Sequence, residues 1–485
     1  MYLGIDIGTS SVKAVLIDGR QRIAGVATAP LKVSRPRPGW SEQDPEAWWR
    51  ATRRVLDELK AGQPKAMSAV EGVGLSGQQH GATLLDAADR PLRPCILWND
   101  ARAGDECRAL EAAEPRFRAI TGNRLMAGFT APKLAWVRRH EAKLFQRTAQ
   151  VLLPKDYVRL KLTGEHASDM SDASGTCWLD VGARRWSPPL LEACGLGLEQ
   201  MPRLVEGTEV SGRLRSALAK RWGMDIAPVV AGGGGDNPAS ACGTGTVRPG
   251  SAFLSLGTSG VLFVSNARFS PNPAGGVHAF CHALPKAWHQ MGVVLSATGS
   301  LDWLARMLNT EPRALLAHAA GEMRGPSPVT FLPYLSGERT PHSDASIRGA
   351  FAGLAAETER RNLVRAVLEG VAFAFRDCLE ALKAAGTKVT QATAVGGGAR
   401  SRPWIEIIAT VLGIPIRVPA AGDVGAAFGA ARLGLIAATG AEPLAVCTPP
   451  RIVATLEPRR ALARAYEDRW QRYRALYPGL KEAMG

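Results

Sequence analysis

A chain of 485 residues, 46% hydrophobic and 21% charged, is too long for one core and suits two domains of about 240 residues each. Its formal net charge of +15 is dispersed, and the clusters Arg35-Pro36-Arg37, Arg138-Arg139 and Arg360-Arg361 are short and lack interleaved aromatics, which argues against a nucleic-acid binder. No apolar run approaches the roughly 20 residues of a membrane span and the eight cysteines have no metal-finger spacing, so a soluble cytoplasmic protein with reduced thiols is expected.

The first stretch, Gly4-Ile5-Asp6-Ile7-Gly8-Thr9-Ser10-Ser11-Val12-Lys13, reads as a strand, a Gly-Thr-Ser turn and a resuming strand. Such a turn aims successive backbone N–H groups into one concavity, an anion nest, and the hydroxyls of Thr9 and Ser10 add donors suited to phosphate oxygens. Asp6 beside it would repel an anion unless a divalent cation, Mg²⁺ held through water, lay between them. One such turn is equally an ordinary hairpin. The same logic returns half a chain later in Leu254-Ser255-Leu256-Gly257-Thr258-Ser259-Gly260-Val261, which implies two similar domains and a matched pair of phosphate turns.

After the first hairpin, Ile23 to Val33 continues as strand, and Asp44-Pro45 starts a helix with Trp48, Val55 and Leu59 on its apolar face. Val70 to Leu75 reads as a buried strand ending in Ser76-Gly77-Gln78-Gln79-His80-Gly81, the end at which ligands gather in α/β sheets. A strand through Cys95 to Trp98 leads into Asn99-Asp100-Ala101-Arg102, where Trp98 offers an aromatic face and Asp100 an acceptor for a polyol. Phe129 to His140 and the stretch from Leu152-Leu153-Pro154 start helices, and residues 168–175 read as a polar loop.

Pro228 to Ala231 is a short strand followed by four glycines and Asp236-Asn237. The glycines bring backbone close to a bound group and hold one carboxylate at the strand's end, so Asp236 is the candidate general base. It could also cap the helix starting near Pro238, and the roles are not exclusive. The domain change is placed at Val247-Arg248-Pro249-Gly250, dividing the chain into 1–246 and 247–485. His278 and His282, four apart, could share a helix face as metal ligands, but no acidic partner at a metal-site spacing accompanies them.

Beyond the second turn, Leu295 to Ser300, with Thr298, leads into a helix bearing Trp303, and Phe331 to Pro341 is a long irregular segment. Glu359 to Ala385 is the longest helix, stopped by Gly386. At Ala394-Val395-Gly396-Gly397-Gly398-Ala399 the glycines would let a purine ring lie against backbone, with Arg400, Ser401 and Arg402 at its edge. Gly422 to Ala431 is a small-residue helix suited to packing between domains, and Pro458 to Tyr477 reads as a surface helix.

With these residues assembled, the chain resembles the FGGY family of carbohydrate kinases, whose α/β domains have the actin and hexokinase (ribonuclease H-like) ATPase fold with an interdomain cleft. Phe129 to His140, centred on Lys133 and Trp136, is similar to that family's first signature, and Gly349 to Glu369 to its second. The branch acting on xylulose is suggested by Trp40-Ser41-Glu42-Gln43-Asp44-Pro45, Leu97-Trp98-Asn99-Asp100, Leu153-Pro154-Lys155-Asp156-Tyr157 and Tyr334-Leu335-Ser336-Gly337-Glu338-Arg339-Thr340-Pro341. The resemblance implies ATP-dependent phosphorylation of the 5-hydroxyl of D-xylulose, with ATP and Mg²⁺ as cofactors. Asp236 would be the base and a second candidate metal ligand beside Asp6, and Gln79, His80, Trp98, Asp100 and Asn237 would hold the sugar. Thr9, Ser10, Gly257, Thr258, Thr298, Gly396, Gly397 and Ser401 would hold the nucleotide, and a homodimer is left open. Relatives usually carry Met where this chain has Gln79, which puts the sugar preference in question. Ribulose, glycerol and gluconate are alternative substrates, and a non-catalytic sugar or nucleotide sensor is the alternative outside the enzymes.

Overall fold

The computed structural model describes residues 1–318, 325–420 and 425–484. Two seven-stranded sheets organise them. The first runs Val210–Arg213, Val229–Ala231, Gly72–Gly77, Tyr2–Ile7, Ser11–Ile17, Ile23–Pro30, with the short strand Gly234–Gly235 also pairing to Gly72–Gly77. The second runs His278–Cys281, Trp288–Val294, Gly260–Asn266, Ala252–Leu256, Ala392–Val395, Ile416–Pro419, Ile452–Leu456. Each is built from an antiparallel three-strand meander, two parallel strands added beside the meander's first strand, and an antiparallel edge. The second sheet adds His278–Cys281 outside its meander. The duplication read from the two Gly-Thr-Ser turns is thus a duplication of strand order and direction.

Local chemistry explains the main helices. Asp44 caps Pro45–Gly62 by accepting from the Glu46 N–H, and Trp48, Val55, Leu56 and Leu59 are buried against the first sheet's core. In the second half, Arg360–Ala384 carries Val364, Val367, Leu368, Val371 and Phe375 into a core shared with Arg402–Leu412.

The helix Ala426–Thr439 crosses the domain division, packing on Gly72–Gly77 and Tyr2–Ile7 although it lies far along the sequence. Small residues make this possible. A Cβ on Gly74 would stand 1.8 Å from the Ala430 carbonyl oxygen, and one on Gly4 would stand 1.9 Å from that of Ala427. Backbone therefore packs directly on backbone, as the run of glycine and alanine suggests; Gly422 to Val424 lie outside the described residues.

Three local readings are corrected. Residues 168–175 are no loop: Ala167–Asp169 is a strand and Met170–Ser174 a buried helical turn, because Asp169 accepts from the Ser171 and Asp172 N–H groups and ends in an ion cluster with Lys155. Of the strand through Cys95 to Trp98, Cys95–Ile96 alone is strand, since its partner Glu42–Gln43 is two residues long. The C-terminal helix, Ala463–Met484, is more than a surface element: Tyr466, Trp470 and Tyr473, one turn apart, are buried, and Trp470 Nε1 donates to Asp377 Oδ1 at 2.9 Å.

Candidate active site

The carboxyl ends of the parallel strands in the first sheet bring Asp6, Ser76 and Asp236 together. Asp6 is in register with Ser76, and Gly234 of the strand leading to Asp236 is in register with the same serine. Ser76 Oγ donates to Asp6 Oδ1 at 2.9 Å. Gly235 occupies the cap position of the helix Asp236–Thr244, so Asp236 is its first helical residue; its Oδ1 accepts from the Asn237 N–H at 2.8 Å and from Asn237 Nδ2 at 3.1 Å. Burial raises the Asp6 carboxyl above the usual range. Burial, then the charge of Asp6, pushes Asp236 up to about 7, against the lowering effect of the Asn237 bonds. Two carboxylates held this close carry excess negative charge, which suits a hard divalent cation completed by water and phosphate oxygens.

The first Gly-Thr-Ser turn is built but committed. Gly8 N donates to Ser11 O at 3.0 Å, closing it. Thr9 Oγ1 donates to Gln78 Oε1 at 2.8 Å and accepts from Trp98 Nε1 at 3.0 Å, while Gln43 Nε2 donates to Thr9 O at 2.7 Å. Thr9 and Trp98 therefore hold each other, leaving Ser10 exposed at the tip. Asp100 is turned inward: Oδ2 accepts from Ser41 N at 2.6 Å and Arg102 Nη2 at 2.7 Å, and Oδ1 from Arg102 N and Nε at 2.9 Å. With the Arg102 guanidinium lying over the Trp40 ring, these residues brace the loop 98–102 from within.

Gln79 and His80 are fixed by the helical turn Met170–Ser174. Gln79 Nε2 donates to Ser171 O at 3.3 Å, which leaves Oε1 as its remaining acceptor. His80, at φ +70°, has Nδ1 2.9 Å from Gly175 O. A carbonyl only accepts, so Nδ1 carries the proton and Nε2 is a bare lone pair. Burial first, and the Lys133 ammonium second, hold the imidazole neutral, with its pKa at about 3. Lys133 Nζ in turn donates to His80 O at 2.8 Å. Ser171 Oγ also accepts from Gly235 N at 3.2 Å, so one buried serine braces both Gln79 and the loop that carries Asp236. Sequence reasoning missed this serine; a cap motif inside a supposed loop, Asp169 to Asp172, was the available signal.

The second sheet closes the far side of this region. His278 and Phe280 lie against His80 and Phe129, with ring centroids 4.8 Å apart for His80 and Phe129 and 5.4 Å for Phe129 and His278. His278 lies in a strand, not on a helix face shared with His282. No cluster of three or more His, Cys, Asp or Glu suited to a metal ion occurs among the described residues.

In the second half of the chain three glycine-containing segments converge. Thr258 O accepts from Ala297 N at 2.8 Å and Gly299 N at 3.1 Å, and Thr298 N donates to Gly257 O at 2.8 Å. Gly396, at φ +90°, lies on the Leu256 backbone, and a Cβ on Gly398 would stand 2.9 Å from the Thr298 methyl. Gly396, Gly397 and Thr258 are exposed, whereas Ser401 is buried and its hydroxyl has no partner among the described residues.

This arrangement can be set beside known proteins. The N-terminal domain of the FGGY family of carbohydrate kinases matches residues 1–243 and its C-terminal domain residues 252–438. The chain is 50% identical over 488 residues to the xylulose kinase of Escherichia coli (strain K12), covering all of both chains, and 34% identical to that of Bacillus subtilis (strain 168), covering 99% and 97%. Among solved structures it is similar to a kinase from Brucella ovis described as a xyloylose kinase, at 60% identity and TM-score 0.97 over 99% of each chain. The xylulose kinase of Rhodospirillum rubrum has 31% identity and TM-score 0.91 over 100% of this chain and 99% of that one. Two duplicated sheets, acids at the strand ends of the first, a glycine-lined turn in the second and these full-length similarities have one reading: the chain belongs to the FGGY family of carbohydrate kinases.

Proposed function

We propose that the protein transfers the γ-phosphoryl group of ATP to the 5-hydroxyl of D-xylulose, giving D-xylulose 5-phosphate and ADP. The observation that carries this reading is Asp236, a carboxylate at a strand end beside Asp6 with its proton affinity raised to about 7, the range in which a general base works at neutral pH. The sugar's 5-oxygen bonds to the γ-phosphorus as its proton passes to Asp236, the bond from phosphorus to the β,γ-bridging oxygen breaks, and ADP departs with that electron pair. His80 Nε2 and Gln79 Oε1 accept from sugar hydroxyls, with Trp98, Asp100 and Asn237 shaping the surrounding wall. Residues 1–246 hold the sugar and 247–485 the nucleotide, whose phosphates meet the turns at Thr9-Ser10 and Gly257-Thr258 and whose base lies on Gly396 and Gly397 near Thr298 and Ser401.

Asp6, with Asp236, would hold Mg²⁺, which when bound neutralises phosphate charge. The similarity to relatives named xylulose kinases supports the choice of sugar. A coupled ADP-release assay over D-xylulose, ribulose, glycerol and gluconate tests it. D-xylulose is expected to give the highest kcat/KM; a higher value for another member overturns the sugar assignment, and no ADP release with any of them overturns the enzyme reading.

A further inference from the structure

The three groups proposed to bond the sugar directly are of one kind. His80 Nε2, Gln79 Oε1 and the Asp236 carboxylate all accept hydrogen bonds, which matches sugar hydroxyls as donors. A keto sugar also has a carbonyl oxygen, which carries no hydrogen and requires a donor. The first-domain donors nearby are already anchored to protein acceptors: Lys133 Nζ to His80 O, Trp98 Nε1 to Thr9 Oγ1, Asn237 Nδ2 to Asp236 Oδ1 and Gln79 Nε2 to Ser171 O.

Arg339 has five guanidinium N–H donors, of which one is placed in a side-chain hydrogen bond among the described residues. It stands on the second domain, half-buried, with Nη1 donating to His278 Nε2 at 3.4 Å. Its charge is felt at both His80 and His278, helping to hold both neutral, so it faces the same space. It forms no ion pair with a carboxylate among the described residues, whereas Arg102 pairs with Asp100 and Glu42, Arg159 with Asp156, and Arg365 with Glu369; Arg432, also without an ion pair, is instead held by Gln21 Oε1 and three backbone carbonyls. Glu338, the adjacent carboxylate, is turned away, its Oε1 accepting from Leu295 N at 3.0 Å and Arg339 N at 2.8 Å. Thr340, on the other side, is bolted to the strand Trp288–Val294: its N donates to Val293 O at 3.2 Å and its Oγ1 accepts from Val293 N at 3.0 Å. The guanidinium is thus presented from a rigid segment with unspent donors. Half-buried, the fork keeps contact with solvent and can exchange water for the acceptor of a ligand.

We propose that Arg339 is a specificity-determining residue, donating from the second domain to the carbonyl oxygen of a keto sugar whose hydroxyls are taken by His80, Gln79 and Asp236. The inference rests on the sugar-kinase reading above and adds to it the group that distinguishes a ketose from a polyol. It also makes the sugar a bridge between domains.

The test is calorimetric binding of D-xylulose and of xylitol, the same carbon chain with the carbonyl reduced, to the full-length wild type and to Arg339→Met and Arg339→Lys. Loss of a charge-assisted bond predicts D-xylulose affinity weakened about 10–100-fold in Arg339→Met, with xylitol changed by less than about 3-fold. Arg339→Lys, which keeps the charge but not the fork, falls between, and added guanidinium ion restores D-xylulose binding to Arg339→Met. D-xylulose binding unchanged in Arg339→Met, or weakened equally with that of xylitol, overturns the proposal. Absence of ADP release by the wild type with D-xylulose would instead overturn the sugar-kinase reading, so the two failures are separable.

Discussion

Replacing Asp236 by Asn separates its chemistry from its cost to the fold. Raising a carboxyl from an ordinary value of about 3.9 to about 7 is a thousandfold increase in proton affinity, equivalent to about 4 kcal/mol when the group is fully ionised. The sign follows from the direction. The folded state binds the proton more tightly than the unfolded chain, so stability is full below the unfolded value and is lost as pH rises through about 7. Asparagine is neutral throughout, and the carboxyl is only half-buried. About half of that free energy is therefore recovered at pH 8, roughly 2 kcal/mol, or about 4–8 °C in the Tm of a domain of this size. At pH 4 the wild-type carboxyl is protonated and the two melting curves converge. On the plateau above about pH 7, where wild-type Asp236 is ionised, phosphorylation by Asp236→Asn falls by about 10²-fold or more; below it wild-type kcat/KM declines as the base is protonated and the difference narrows. Scanning calorimetry and initial rates from pH 4 to 9 check both. A variant that melts with the wild type at pH 8, or a wild-type rate that falls across neutrality, refutes the assignment of an elevated, ionising base.

Lys155→Met leaves Asp156, Asp169 and Asp172, all fully sequestered, without the ammonium that reaches them at 2.5, 2.8 and 3.1 Å. The expected loss is about 3–5 kcal/mol in a urea titration; wild-type stability would show that Lys155 is not what compensates the carboxylates. Gly74→Ala drives a Cβ to within 1.8 Å of the Ala430 carbonyl. It should destabilise by about 3 kcal/mol or more and strip the Ala426–Thr439 helix of protection in hydrogen exchange, whereas exchange unchanged in that helix would mean the contact yields.

Much of this architecture was legible because its signals are local. Two Gly-Thr-Ser turns half a chain apart disclosed the duplication, Asp44-Pro45 disclosed a helix start, and four glycines before Asp236 disclosed a carboxylate held at a strand end. What stayed hidden depends on partners distant in sequence. Nothing around Asp100 shows that Ser41, 59 residues away, and Arg102 fill both its oxygens. A side chain that looks like a sugar ligand in sequence is therefore already satisfied when folded. Arg339 is the converse: the irregular stretch that carries it assigns it no role, and its approach to His278 and His80 shows a cation without a carboxylate partner among the described residues. Residue type and spacing identify which groups can do chemistry. Which of them remain free to do it depends on the hydrogen-bond accounting of the folded chain, and among the described residues that accounting leaves open acceptors at His80 Nε2 and Gln79 Oε1 and open donors at Arg339.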